Sequence, residues 1–192
     1  MPLRLWQYQL AKLGDRGKRR HARMLSLTEG DLPGGNWRTV QSLTWRAGAF
    51  DGTTEPMKRA LKSGGFTTMR HFEEKESQGI LLVRIIPYTN AQDAEAELQG
   101  ARRFITFQPR RGIVMGEEVL LEGFTFPDLP ISWAFEQNSM EPDTSAAAKV
   151  LAGVVDNVLL LLAFTGETDS WTWPEIADIA EIQAKKIRDQ ST

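Results

Sequence analysis

The sequence predicts an α+β fold, an antiparallel or mixed sheet with helices packed on it, of which a three-layer α/β/α sandwich is one form. Two observations lead to this prediction. Most apolar runs along the 192 residues have the length and period of strands, and only two long helices are predicted. In addition, no glycine cluster has the spacing of a phosphate-binding loop, and strands do not alternate regularly with helices. A doubly wound nucleotide-binding fold is therefore disfavoured.

The clearest strand signal is the apolar run 150–164, which only Asp156 and Asn157 interrupt. A membrane-spanning helix needs about 20 mostly apolar residues, and a carboxylate at the bilayer centre costs roughly 2.5 to 3.5 kcal/mol. Asp and Asn instead favour turns. We therefore predict two buried strands, 146–155 and 158–165, joined by a tight hairpin, and no transmembrane segment.

The N-terminal region is strongly basic. Residues 1–24 contain seven Lys and Arg against Asp15 alone, a net charge of +6, while the remainder carries 16 basic and 24 acidic residues, a net charge of -8. Apolar residues recur with helical spacing over 3–13, and Gly14 and Gly17 favour an exposed basic connector after that helix. The sequence predicts a basic amphipathic arm, residues 1–24, attached to a single α+β domain, residues 25–192.

The first half of the domain contains three predicted strands. Alternation predicts a half-buried strand over Trp37–Arg46, with Trp37, Leu43 and Trp45 in one set. A helical turn or two follows over Glu55–Lys62. Next come strands over Phe66–Glu74 and 79–87, an antiparallel pair whose second member is apolar on both faces and hence central.

The second half begins with a helix, 91–104, that Thr89 or Asn90 can cap. Strands are predicted over 112–126, with a break at Gly123, and over 131–136. After the hairpin, a final helix begins near Trp173 and extends to about residue 187. Pro174 and Glu175 suit the first turn of that helix.

Residue content excludes several kinds of chemistry. The chain has no cysteine and only two histidines, so disulfides, thiolate zinc sites and cysteine nucleophiles are excluded, and no metal or cofactor is predicted. A net charge of -2 disfavours nucleic acid as a partner. The acidic residues Asp93, Glu95 and Glu97 are expected on a solvated helix face. No secretory signal precedes Leu27, so a cytoplasmic location is expected.

Five residues are the candidates for binding a ligand or partner: Trp45, Arg70, His71, Arg84 and Trp133. Arg84 interrupts an Ile, Leu and Val strand, so it must pair with a carboxylate, extend to the rim or meet an anionic ligand. Six tryptophans are many for this length. A subset of them lining a groove is the ligand-binding alternative to simple core packing.

Three segments carry a family resemblance: residues 25–34, the closing hairpin that ends in Asn157-Val158-Leu159-Leu160, and the helix over 173–187. Together they resemble the PsbP-like α/β/α sandwich, especially the extracellular sensor and lipoprotein domains of actinobacteria. The resemblance implies a binding or sensing module without catalytic residues. The sequence departs from the lipoprotein pattern because it lacks an export signal and a lipidated cysteine.

The leading functional hypothesis is a non-enzymatic module that binds a small molecule or a protein partner. One alternative is an enzyme whose site is built from Arg46, Arg70, His71 and Arg84. Another is a tether in which the N-terminal arm contacts an anionic membrane or a partner groove. The arm residues concerned are Trp6, Lys18, Arg19, Arg20 and Arg23. Membrane contact is less favoured than docking of the arm on its own domain, and the apolar face of the arm also allows a homodimer.

Overall fold

A computed structural model gives the fold. It describes residues 14–34, 36–47, 54–75, 79–101, 119–120, 126, 128–129, 132–139, 146–168 and 170–191. The helices are α1 (14–24), α2 (Glu55–Lys62), α3 (Ala91–Ala101) and α4 (Trp173–Ser191), and a short 3-10 turn covers Glu29–Asp31. The strands are β1 (Trp37–Arg46), β2 (Phe66–Glu74), β3 (Ile80–Pro87), β4 (Val119–Leu120), β5 (Ser132–Asn138), β6 (Ala147–Val155) and β7 (Val158–Gly166).

The strands form one sheet in the order β1-β2-β3-β7-β6-β5-β4, and every neighbouring pair is antiparallel. Helices pack on both faces of this sheet. The predicted α+β class is therefore confirmed, with the sheet as the middle of three layers. β3 lies between β2 and β7, as its two apolar faces indicated.

One sheet face, the α4 face, is covered by α4. Alternate residues of β3 and β7 pack there against the apolar stripe of the helix, including Ile176, Ile179 and Ile187. Leu25 and Leu27, which follow α1, are fully buried in the same core. Trp171 closes one end, because its ring stacks on Trp37 with centroids 5.5 Å apart.

The opposite face, the α3 face, is covered partly by α2 and α3. Met57 and Ala60 of α2 and Leu98 of α3 form a second core with Ile86 and Leu159 of the sheet. In the middle of this face, the side chains of the central strands stay partly exposed, among them Leu82 and Leu161. That exposure leaves an apolar surface in reach of solvent.

The predicted hairpin is confirmed. β6 and β7 pair in register up to Val155 opposite Val158, and Asp156 adopts a positive φ of 53° in the connection. Asp tolerates this left-handed conformation better than most side chains. The amide of Asn157 donates to the carbonyl of Tyr88 at 2.6 Å, so the turn is also anchored to the end of β3.

The prediction of a connector over 14–24 was wrong, because this segment is the helix α1. A Cβ placed on either of its two glycines would meet no other atom, so no close packing requires glycine there. The glycines therefore weaken the helix only through their low intrinsic helix propensity. Tertiary contacts supply the difference: Lys18 donates to the carbonyl of Ser63 at 2.5 Å, and Ala22 is buried. Helix 3–13 and Trp6 lie outside the described residues, and the boundary between arm and domain stays a prediction.

The predicted alternation along β1 was wrong in one respect: Trp37 does not share a face with Leu43 and Trp45, although the predicted bounds agree. A β-bulge between Thr39 and Gln41 shifts the register against β2. Beyond the bulge Thr44 is buried on the α4 face, whereas Leu43 is exposed. Of the predicted strand 112–126, only β4 and the isolated bridge residue Phe126 are described. β5 extends two residues beyond the predicted end.

Candidate functional site

Four of the five candidate binding residues lie on the α3 face. Trp45, His71, Arg84 and Trp133 all share it, as the strand pairing shows. Arg70 lies on the opposite face, because side chains alternate along β2. Its guanidinium donates to the carbonyls of Arg23, Ser26 and Leu27, so Arg70 fastens the end of α1 to the sheet.

A single row of cross-strand neighbours defines the centre of the α3 face. We call it the Arg84 row, and from the sheet edge inward its members are Leu43, Met69, Arg84, Leu161, Ala152 and Trp133. Directly opposite residues in antiparallel strands are in side-chain contact range. Arg84 is therefore flanked by Met69 and Leu161. Trp133 lies three strands away from Arg84. At the usual spacing between strands, the Cα atoms of the two residues are roughly 14 Å apart.

The guanidinium of Arg84 is positioned by Trp45. Its central carbon lies 5.8 Å from the centroid of the Trp45 ring, within the range of a cation–π contact. Burial lowers the pKa of Arg84, while the nearby Tyr88 and Glu97 act in the opposite direction. An arginine keeps its charge under such a shift, so the row has a cation at its centre.

Buried polar groups of α3 and Tyr88 adjoin this cation. Tyr88 is 4% exposed, and its hydroxyl has no hydrogen-bond partner within the described part of the chain. Burial raises the pKa of Tyr88, and Glu97 adds to the effect, so the hydroxyl remains protonated. Glu97 is 8% exposed and accepts a hydrogen bond from Thr54 at 2.5 Å.

The expected solvated face of α3 was therefore wrong for two of its three acids. Asp93, at 4% exposed, pairs with Arg59 of α2, and Glu97 contacts Thr54, so both carboxylates join the two helices. Sequence reasoning missed Tyr88 and Glu97 as site residues. A signal existed: positions 93, 94, 97 and 98 share one helix face, so acids there accompany the apolar Ala94 and Leu98.

Trp133 forms the far end of the Arg84 row. Its indole N–H donates to the carbonyl of Leu98 at 3.3 Å, and its ring stacks on Phe135 with centroids 5.8 Å apart. The ring is only partly buried. Trp45 and Trp133 therefore bound an apolar floor on two sides, with the cation between them.

His71 lies one row away, opposite Gln41 and Leu82. Burial lowers its pKa, and Glu73 partly counteracts this, so the imidazole is mainly neutral near pH 7. Within the described residues its side chain has no hydrogen bond or ion pair. It can contribute an uncharged donor or acceptor to a ligand on the α3 face.

The residues of the enzyme alternative do not come together. Arg46 pairs with Asp15 on the α4 face, where Arg70 also lies, whereas His71 and Arg84 lie on the α3 face. The sheet separates the two pairs. The described residues also contain no group of three or more acidic or histidine side chains that could hold a metal ion.

Three of the predicted arm residues contact the domain. Lys18 donates to the carbonyl of Ser63. Arg19 donates to the carbonyl of Thr44 at 3.2 Å, and Arg23 donates to the hydroxyl of Thr44 at 3.1 Å. Arg20 is exposed. In the described ranges, no helix has both the length and the apolar character needed to cross a bilayer.

Comparison with known proteins supports the fold but assigns no family. No family model matches the chain, and no curated protein sequence matches it. Among solved structures, the chain is similar to the extracellular domain of PknH from Mycobacterium tuberculosis. The TM-score is 0.56 at 9% identity, over 90% of this chain and 96% of the other. The likeness to an actinobacterial extracellular domain agrees with part of the predicted resemblance, whereas nothing confirms a PsbP-like relationship.

Proposed function

We propose that this protein is a non-catalytic binding or sensing domain that takes a small organic anion on the α3 face. The observation that carries the proposal is the position of Arg84 in the middle of an apolar row, with its guanidinium over Trp45. A charge placed there is costly unless a counter-charge or an aromatic ring compensates for it. A bound anion would add to that compensation.

The surroundings of Arg84 suit a ligand with an apolar, planar body. Met69 and Leu161 flank the cation in the row, and both are partly exposed. Trp45 and Trp133 offer ring faces on either side of this floor. A few polar groups on a mostly apolar surface are typical of small-molecule sites.

The polar end of the ligand would meet two donors. A guanidinium binds a carboxylate with two parallel N–H groups, and the protonated Tyr88 hydroxyl can donate a further bond. Glu97 lies near both Arg84 and Tyr88, so its carboxylate disfavours a second negative charge on the ligand. We therefore propose a monoanion, such as an aromatic carboxylate, rather than a phosphate ester.

The structural neighbour supports this proposal only at the level of the fold. That neighbour is an extracellular domain. The location of this protein stays a prediction, and the sequence points to the cytoplasm. A protein partner on the same face is the other form of the binding hypothesis.

Calorimetric titration with aromatic carboxylates and with the corresponding uncharged amides tests the proposal. We expect the carboxylates to bind and the amides to bind at least tenfold more weakly, about 1.4 kcal/mol. Arg84→Met keeps the apolar stem and removes the charge, so it should abolish the preference. Arg38→Met is the matched control, because Arg38 is exposed and pairs with Glu73 at the sheet edge.

Two results contradict the proposal. The first is a carboxylate affinity that Arg84→Met and Arg38→Met lower equally, since a general loss of positive charge would then explain it. The second is turnover of any ligand in the panel, because the proposal assigns no catalysis.

A further inference from the structure

β1 is an edge strand whose outward backbone groups can be identified. Among the described strands it pairs only with β2. The N–H of Ala47 donates to the carbonyl of Gly65 at 3.0 Å, so this end of β1 directs alternate residues toward β2. By that alternation the backbone N–H and C=O groups of Leu43 and Trp45 bond to β2. The backbone groups of Ser42 and Thr44 point away from the sheet.

Side chains occupy two backbone groups of β1. The carboxylate of Glu29 accepts the N–H of Thr39 at 2.6 Å, and the guanidinium of Arg19 donates to the carbonyl of Thr44 at 3.2 Å. The bond from Thr39 is the main reason that the pKa of Glu29 is lowered. Neither contact belongs to the β1 and β2 ladder. Both lie where a further strand would pair.

The same strand is apolar enough to associate. Val40 is 42% exposed and Leu43 is 43% exposed, and they are two of the four large exposed hydrophobic side chains in the described part of the chain. β1 has no acidic residue. Exposed edge strands of this kind promote pairing with another chain unless something blocks them.

A second copy of β1 fits this edge. In an antiparallel pair centred on Leu43, the two Leu43 side chains meet on the symmetry axis and the outward groups of Ser42 and Thr44 face each other. In the same register Trp45 lies opposite Gln41, and Arg46 lies opposite Val40, so no like charges oppose each other. In this register the outward backbone groups of Ser42 and the exposed side chain of Leu43 gain partners together.

We infer that the β1 edge is a self-association surface for a second copy of this chain, and that Glu29 and Arg19 hold it closed. With both contacts present, the N–H of Ser42 in a second copy finds the carbonyl of Thr44 already bonded. Removing the contacts frees that carbonyl and the N–H of Thr39. The surface lies beside Trp45, so pairing would place two α3 faces next to each other.

A cysteine introduced at Leu43 tests the inference, because the full chain has no cysteine of its own. In the proposed dimer, Leu43 of one copy lies opposite Leu43 of the other as a non-hydrogen-bonded pair. Their Cα atoms are then about 4.5 Å apart, a separation that a disulfide can span. In the Arg19→Ala, Glu29→Ala background, Leu43→Cys should cross-link under mild oxidation at least tenfold faster than in the otherwise unchanged chain. Gln41→Cys is the matched control, since position 41 faces position 45.

Ser42→Pro supplies the second check, because it deletes an outward N–H without removing a bond to β2. Added to the double variant, it should return cross-linking to the slow rate and light scattering to the monomer mass. Glu29→Ala alone changes only exposed groups, so it should keep the fold and still accelerate cross-linking. Equal rates with and without the Glu29 and Arg19 contacts, or cross-linking unaffected by Ser42→Pro, would overturn the inference.

Discussion

The side chain of Gln183 bonds to the backbone of Leu27 across 156 residues of sequence: Leu27 N–H donates to the Gln183 oxygen at 3.0 Å. The amide nitrogen of Gln183 donates in turn to the carbonyl of Leu25 at 2.6 Å. Gln183 is fully buried in α4, and both leucines are core residues. One side chain therefore satisfies a donor and an acceptor of a segment that enters the core without secondary structure.

Gln183→Met should lower the free energy of unfolding by about 2 to 6 kcal/mol. Methionine fills a similar volume but leaves the Leu27 N–H and the Leu25 carbonyl buried without partners, at roughly 1 to 3 kcal/mol each. Urea denaturation measures the change. Gln99→Met, at an exposed position of α3, is the control and should cost less than about 0.5 kcal/mol. A cost for Gln183→Met that matches the control would show that water satisfies those backbone groups.

Arg70→Met should loosen α1 as well as destabilise the domain. The guanidinium serves three carbonyls at the end of α1, and charge-assisted bonds of this kind contribute about 1.5 to 3 kcal/mol. We expect a loss of about 2 kcal/mol in urea and faster hydrogen exchange over residues 14–24. Arg70→Lys should recover part of both effects. Unchanged exchange in α1 would contradict this role for Arg70.

Asp31 should make stability depend on acid pH. Burial acts to raise its pKa, but hydrogen bonds from Lys186 and Thr28 outweigh it, so the folded pKa lies below the ordinary 3.8. A lowered folded pKa means that the ionised group contributes stability above pH 3.8, and that this contribution is lost as pH falls through the folded value. The destabilisation by Asp31→Asn should therefore be full at pH 6 and shrink below pH 3.8.

Urea titrations at pH 6, 4 and 2.5 check the Asp31 prediction. Lys186→Met in both backgrounds completes a double-mutant cycle, which isolates the coupling between Asp31 and Lys186. A destabilisation by Asp31→Asn that is the same at all three pH values would refute the assigned ionisation.

Tyr88→Phe should separate stability from ligand binding. It removes only a buried hydroxyl that lacks a partner within the described residues, so the free protein should be as stable as before, or more stable by up to about 1 kcal/mol. If the hydroxyl donates to the proposed anion, carboxylate affinity should fall several-fold. Thermal unfolding with and without ligand measures both effects. A destabilised Tyr88→Phe protein would instead place a structural hydrogen bond at that hydroxyl.

The fold class was predictable because it depends on local patterns. The bounds of β1 and β2 agree with the predicted strands, and the Asp156-Asn157 pair marked the hairpin because turn chemistry is local. The start of α4 was equally local, because Pro174 and Glu175 lie in its first turn as predicted. Such signals lie within a few residues of each other, so the sequence by itself determined them.

Tertiary structure alone decided which side chains share a face. The bulge at Val40 reverses the alternation in β1, and pairing across β2, β3 and β7 brings Arg84 beside Trp45 while Arg70 turns to the other face. The helical state of 14–24 likewise depends on partners such as Ser63 and Thr44. These outcomes arise from contacts between segments far apart in sequence, whose free energy exceeds the small local preferences that a sequence pattern reports.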